Sequence, residues 1–303
     1  MISKSFDKKN IYVQEWAVES PRAVVQIIHG MVEHSGRYDA FAKYLNGHGF
    51  YVVADDHRGH GKTDEKHLGY DKHDMFENTL ADEKLITDLY QKKFTNLPYF
   101  VLGHSYGSFL TQRYLADYGE RVDGVILAGS NYQKGAEVTL GLIVAKLGCL
   151  FTEQKPAKLI EKLSFGAYNK KFTEGEWLSA DEESNARYHA DPLCSFTCSY
   201  RFYADFFHGL GKLYTAEYCR KLRSDLPLLL VAGADDPVGK MGKGMEKLYK
   251  FYKENGVRQV TLKLFEHSRH EFLNEQEGRE EKWGTILSFL EQTLSEMGAG
   301  ETA

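Results

Sequence analysis

Ser105 lies in Gly103-His104-Ser105-Tyr106-Gly107, a G-x-S-x-G pattern. That spacing suits a sharp strand-to-helix turn, in which the serine is held in a strained conformation and its neighbours must be small. With 28 glycines in 303 residues, on the order of 0.2 chance matches are expected in such a chain, so the pattern needs its context. The apolar run Tyr99 to Leu102 leads straight into the turn and an amphipathic stretch, Tyr106 to Tyr118, leaves it. A hydroxyl so placed is a nucleophile only if a neutral imidazole takes its proton, and that imidazole needs a carboxylate to fix its tautomer.

For a strand-turn-helix serine the expected chain order is serine, acid, histidine. Of the 12 histidines, His267 and His270 follow the last apolar strand run. His270 is the preferred base because it lies in the loop beyond the strand, whereas His267 nearly continues the strand and reads as a solvated turn residue. The run Leu228 to Ala232 opens onto Gly233-Ala234-Asp235-Asp236-Pro237, and strand ends at the carboxyl edge of a parallel sheet are where catalytic groups gather. Composition does not separate the two aspartates. Pro237 keeps Asp236 out of the α region and in the turn, which favours Asp236 as the acid, while Asp235 could simply close an Asx-turn. An oxyanion hole takes one N–H from the residue after the nucleophile, Tyr106, and one from the loop after an earlier strand. His29-Gly30-Met31 ends such a strand; Gly30 lets the backbone approach the substrate, so Met31 is the second donor. Gly30 and His104, flanking these groups, are the expected substrate-binding residues.

Short apolar runs alternate with helical patterns, the mark of a parallel sheet with crossover helices. Strands are predicted over Ile11 to Val18, Ala23 to His29, Tyr51 to Ala54, Tyr99 to Gly103, Val122 to Ala128, Leu228 to Ala232 and Val260 to Phe265, the first as an antiparallel edge. Helices are predicted over Arg37 to Asn46, Asn78 to Phe94, Tyr106 to Tyr118, Gly239 to Asn255 and Arg279 to Ser295. From about Tyr132 to Leu222 the alternation stops for roughly 90 residues, too long for a loop. The chain therefore reads as an α/β core in two parts, 1–131 and 223–296, with a helical cap, 132–222, inserted between them and a fraying tail, 297–303. Within the cap, Thr139 to Phe151 is apolar on nearly every side with Lys146 its only charge; it is either a buried cap helix or a lid that touches lipid. Tyr200, Phe202, Tyr203, Phe206 and Phe207 either line an acyl tunnel or pack the cap on the core.

Hydrophobic residues at 42%, charged residues at 27% and 6 prolines describe an ordinary globular chain with a sizeable core. A net charge of -5 argues against nucleic acid as a partner. Cys149, Cys194, Cys198 and Cys219 match no zinc or redox spacing and read as reduced packing residues. His57 and His60, with two aspartates in one loop, lack a further cluster to complete a metal site. No metal or cofactor is expected. Without an apolar N-terminal run or a membrane span, the expected location is cytoplasmic.

The residues so assembled resemble the monoacylglycerol lipase and bacterial lysophospholipase branch of the α/β hydrolases. The resemblance is carried by HGMVEHSGRYDAFAKYL from His29, DHRGHGKT from Asp56, GHSYG from Gly103, and GADDPVG with RHEFLNE near the C-terminus. It implies the α/β-hydrolase fold, a mostly parallel central sheet flanked by helices, and the same triad, Ser105, Asp236 and His270. It also implies Met31 and Tyr106 as oxyanion donors, DHRGHG as a structural loop, and no cofactor. The expected activity is hydrolysis of a monoacyl lipid ester through an acyl-enzyme; peripheral membrane contact through the cap is the consequence of only one of the two readings of its apolar run. A general short-chain carboxylesterase or aminopeptidase-like hydrolase keeps the fold and changes the bond cut, and a non-catalytic ligand-binding protein keeps only the fold.

Overall fold

Strands buried on both faces need apolar side chains on both sides of the pleat, and five runs of this chain supply them. The computed structural model describes residues 1–300 and contains eight strands: β1 Ile2–Lys4, β2 Asn10–Trp16, β3 Ala23–Ile28, β4 Phe50–Asp55, β5 Tyr99–His104, β6 Gly124–Ala128, β7 Leu228–Gly233 and β8 Val260–Phe265. They form one sheet in the order β1-β2-β4-β3-β5-β6-β7-β8. β3 to β8 run parallel, while β2 is antiparallel to both β1 and β4. The strand expected at the antiparallel edge is therefore one position in from it. β1 covers β2, and three residues were too short a run to announce themselves by alternation.

The helices are α1 Asp39–Gly47, α2 Met75–Lys93, α3 Tyr106–Tyr118, α4 Ala136–Thr152, α5 Lys158–Asn169, α6 Glu182–Ala190, α7 Tyr200–Lys212, α8 Ala216–Lys221, α9 Lys243–Glu254 and α10 Arg279–Gly300. Successive strand residues point to opposite faces, and the core divides accordingly. Val25, Ile27, Val52, Ala54, Phe100, Leu102, Ile126 and Val231 pack with α1 and α10 through Phe41, Leu45, Trp283 and Ile286. Val24, Ile28, Val53, Val101, Leu127 and Leu230 face α2, α3 and α9 through Leu80, Ile86, Leu110, Tyr114 and Leu248. α2 begins at Met75, earlier than its apolar periodicity suggests, because the Asp74 carboxylate accepts from the N–H groups of Phe76 and Glu77. α10 runs on through Met297 to Gly300, against the expected fraying; 301–303 lie outside the described residues.

α4 to α8 all fall between β6 and β7. α4 resolves the two readings of its apolar run in an unforeseen way: it packs through its smallest residues. A Cβ on Gly141 would come within 2.5 Å of the Phe207 ring and one on Gly148 within 2.1 Å of Tyr200, with Ala145 fully buried between them. The large side chains point out, Leu140, Ile143, Leu147, Leu150 and Phe151 being 51 to 87% exposed.

Candidate active site

β5 ends in the turn that carries Ser105, at φ 52° and ψ -119°, a conformation that L-residues avoid and that a surrounding structure must enforce. Two contacts enforce it. Ser105 N–H donates to the Ala128 carbonyl of β6 at 3.0 Å, and α3 sits so close to β3 that a Cβ on Gly107 would meet the Ile28 oxygen at 2.0 Å. The turn thus points the hydroxyl out of the carboxyl edge of the sheet.

There the hydroxyl lies 2.8 Å from His270 Nε2, and His270 Nδ1 lies 3.0 Å from Asp236 Oδ2. Asp236 is fully buried in the turn after β7, where its other oxygen accepts from Val238 N–H at 2.8 Å. Since that carboxylate accepts at Nδ1, Nε2 is the free basic nitrogen facing the serine. His267 is exposed at a turn with φ 59°, and the Asp235 side chain has no part in this chain of bonds. The structure brings Ser105, His270 and Asp236 together.

Met31 and Tyr106 face the same cavity as Ser105. Among the described residues neither backbone N–H has a partner, so both are available to an incoming oxyanion. Gly30 and His104 also lie in the cavity wall, but both His104 ring nitrogens are taken. Nδ1 is 3.2 Å from Glu33 Oε1 and Nε2 is 3.2 Å from the His270 carbonyl oxygen. Both partners are acceptors, so His104 carries a proton on each nitrogen. Burial opposes this, and the Glu33 carboxylate outweighs it and raises the imidazole. Glu33 also accepts from Gly30 N–H at 2.5 Å and from Tyr38 OH at 2.8 Å. Burial alone would raise its carboxyl, but His104, Arg37 and Tyr38 hold it below the usual carboxylate range. His104 therefore ties the loop after β3 to the loop carrying the base.

Sequence reasoning missed Glu33, Arg37 and Glu271, of which Arg37 bridges the two glutamates, and it missed the cap's grip on the base loop. Glu271 N–H donates to the Leu178 carbonyl at 2.7 Å, Arg269 donates to the Glu176 carbonyl at 2.7 Å, and the Trp177 ring lies 5.1 Å from that of His270. Only the E-H-S-G-R-Y spacing after His29 hinted at a charged pair one helical turn apart. The aromatic run of α7 divides in two: Tyr203, Phe206 and Phe207 line the cavity, whereas Tyr200 packs on Gly148 and Phe202 on Tyr106.

The cavity encloses about 1180 Å³ between core and cap, above the range of about 300–1,000 Å³ usual for small-ligand pockets. Apolar side chains of the cap, among them Val144, Leu178 and Leu210, form much of its wall. Among the described residues its five carboxylates are all engaged: Glu33 and Glu271 as above, Glu137 with Lys240, Glu161 with Thr197 and Glu176 with His189.

Ligand atoms of Asp55, His57 and Glu83 converge, as do those of His34, Asp191 and Cys194. Glu83, the third group of the first cluster, arrives from α2 and was out of reach of loop spacing. In the second, His34 Nδ1 accepts from Gly36 N–H and Nε2 bonds Asp191 at 2.9 Å. No histidine nitrogen in either cluster keeps a free lone pair for a metal.

The sequence profile of a family described as serine aminopeptidase S33 matches residues 19–277. A monoacylglycerol lipase of Mycolicibacterium smegmatis is 29% identical over 259 residues, 85% of this chain and 84% of its own. The human monoglyceride lipase is 26% identical over 268 residues, 87% of this chain and 80% of its own. Among solved structures, a thermostable carboxyl esterase of Bacillus coagulans in complex with glycerol superposes with a TM-score of 0.88 at 29% identity, covering 97% of this chain and 98% of that one.

Proposed function

The chain belongs to the serine aminopeptidase S33 family, within the monoglyceride lipase branch of the α/β hydrolases, and from that premise we propose that it hydrolyses the carboxylic ester of a monoacyl lipid, a monoacylglycerol or lysophospholipid. The observation that carries this reading is the large apolar-walled cavity that reaches Ser105. In it an acyl chain is buried while the ester carbonyl lies at the nucleophile.

Ser105 Oγ attacks the carbonyl carbon as His270 Nε2 takes its proton, and the N–H groups of Met31 and Tyr106 receive the developing oxyanion. His270 then passes the proton to the leaving glycerol oxygen, which leaves an acyl group on Ser105. Water, deprotonated by His270, attacks that ester, and the carboxylic acid departs as Ser105 recovers its proton. The engaged carboxylates favour an ester over an aminopeptidase substrate. A peptide's N-terminal ammonium needs an unpaired carboxylate near the nucleophile, and the five in this cavity wall already have partners.

The outward face of α4 is the proposed contact with a lipid surface. Exposed Leu159 and Leu163 of α5 extend the apolar character of Leu147, Leu150 and Phe151. Residues 140–171 carry six lysines against two glutamates in a chain whose net charge is -5. An apolar face with basic residues around it suits an anionic membrane surface. No helix among the described residues is long and apolar enough to cross a membrane.

The deciding experiment is hydrolysis of monoacylglycerols and lysophosphatidylcholines over a series of acyl lengths, with Ser105→Ala as control. Turnover of medium or long chains that disappears in Ser105→Ala is the expected result. Activity confined to short soluble esters makes the protein a general carboxylesterase, and peptide turnover above ester turnover overturns the choice of bond.

A further inference from the structure

Behind the loop that follows β3 lies a buried polar cluster that the triad does not use. His29, Asp55, His57 and Glu83 are all at most 1% exposed, and their hydrogen bonds determine where the protons sit. His57 Nε2 lies 3.0 Å from the His29 carbonyl oxygen, which can only accept. On the other side of the ring, Nδ1 lies 3.0 Å from both oxygens of Asp55 and 3.2 Å from Glu83 Oε1. A bare Nδ1 would aim its lone pair at both oxygens of the Asp55 carboxylate, so both nitrogens carry protons and His57 is an imidazolium. Burial opposes that charge, but Asp55 and Glu83 outweigh it and raise the imidazole well above its usual range. Burial beside Asp55 raises Glu83 in turn, and its second oxygen accepts from Gln26 Nε2 at 2.5 Å.

The neighbouring ring is neutral. His29 Nε2 accepts from His57 N–H at 3.0 Å, which leaves the proton on Nδ1, 2.7 Å from the Gly30 carbonyl oxygen. The two rings stack with centroids 3.6 Å apart, and burial with the His57 charge keeps His29 well below the usual imidazole range.

These bonds meet on one peptide unit. The carbonyl of His29 is held by the His57 imidazolium, and the N–H of the same peptide, on Gly30, is held by the Glu33 carboxylate. A cation at the oxygen and an anion at the N–H match the direction of the peptide dipole, and charge-assisted bonds are roughly twice as strong as neutral ones. The segment needs such restraint. Met31 follows at once, and then Val32 at φ 55°, a left-handed conformation that is a true outlier for a β-branched side chain and persists only where the surroundings over-determine it.

We propose that His57 and Glu33 are positioning residues for the oxyanion hole, clamping the His29–Gly30 peptide from both ends so that the Met31 N–H is aimed at the substrate's developing oxyanion. The proposal rests on the reading of Ser105 as acylating nucleophile and Met31 as donor. Asp55 keeps the cation in place, and Tyr38 and His104 keep the anion in place.

The first test uses the wild-type protein. Long-range ¹⁵N–¹H correlation at pH 7 to 8, with His57 assigned by its loss in His57→Gln, is expected to show both His57 ring nitrogens protonated and His29 as a single neutral tautomer. A neutral His57 overturns the proposal whether or not any variant folds. The second test is kinetic. His57→Gln and Glu33→Gln, screened for an unchanged near-UV spectrum, are expected to lower kcat on a soluble p-nitrophenyl ester by about 10- to 100-fold, less than removal of an oxyanion donor costs, with KM within about twofold. Affinity for a trifluoromethyl ketone, which forms an oxyanion on Ser105, is expected to fall in parallel. Because both residues act on one peptide, the double variant is expected to lose less than the product of the two single losses. A multiplicative double loss, or a raised KM with kcat intact, overturns the clamp. Wild-type turnover that persists in Ser105→Ala removes the underlying reading instead, which separates the two failures.

Discussion

A carboxylate beside a histidine earns the role of orienting acid by geometry, and Asp235 and Asp236 offer the comparison within one turn. Asp236 is fully buried, with one oxygen on His270 Nδ1 at 3.0 Å and the other on Val238 N–H at 2.8 Å. Asp235 is half-buried, and its backbone N–H donates to the Ser268 carbonyl, which helps hold the base loop in place. Asp236→Asn presents an amide whose NH₂ favours the wrong imidazole tautomer. The expected loss in kcat on a soluble ester is about 10⁴-fold, the size of that penalty in other serine triads, with the fold retained. Asp235→Asn keeps the same backbone bond and is expected to stay within about threefold of wild type. Equal losses in both variants would remove Asp236 from the triad.

At the scale of elements, α4 shows how a helix that is apolar all round can still have an inside and an outside. Gly141, Ala145 and Gly148 share one stripe at helical spacing and let the backbone approach α7, while Leu147, Leu150 and Phe151 are left to solvent. Exposing that much apolar surface is unusual for a soluble protein without a partner. With the surrounding lysines it predicts that Leu147→Glu/Leu150→Glu lowers binding to vesicles of phosphatidylcholine and phosphatidylglycerol at least tenfold in a sedimentation assay, leaving hydrolysis of a soluble ester unchanged. Undiminished binding would reject the α4 face as the lipid contact. The orientation of α4 was not legible in the sequence, because periodicity of apolar residues carries no signal when every side is apolar. The turn at Ser105 was legible, since strand, glycines and helix stand within twenty residues of one another. So were β3 to β8, whose runs carry their own boundaries. β1 was too short to read, and Glu83 and Glu271 join their clusters through tertiary contacts that no local spacing encodes.

Across the whole molecule, cap and core are joined by polar contacts as well as by the cavity wall, and one of these makes stability depend on pH. Asp205 of α7 accepts from the N–H of Met75 at the start of α2, 3.0 Å away, and from Arg201 Nε at 2.9 Å. Burial outweighs both partners and, with Asp74 close by, pushes the Asp205 carboxyl up to about 6. Such a group binds its proton more tightly in the folded than in the unfolded chain. Its contribution is therefore fully present below its unfolded value near 3.8 and is lost as pH rises through about 6, the opposite sense to a salt-bridged carboxylate. Asp205→Asn cannot titrate but keeps an oxygen for the Met75 N–H. The Tm of Asp205→Asn minus that of wild type is thus expected to rise between pH 4 and pH 6.5 and to level off above it, as followed by calorimetry in a buffer of constant ionic strength. A difference that stays flat over that interval would mean that Arg201 governs Asp205, and that the Met75 N–H of the core meets a carboxylate kept ionised by an ion pair within α7 instead of a protonated acid.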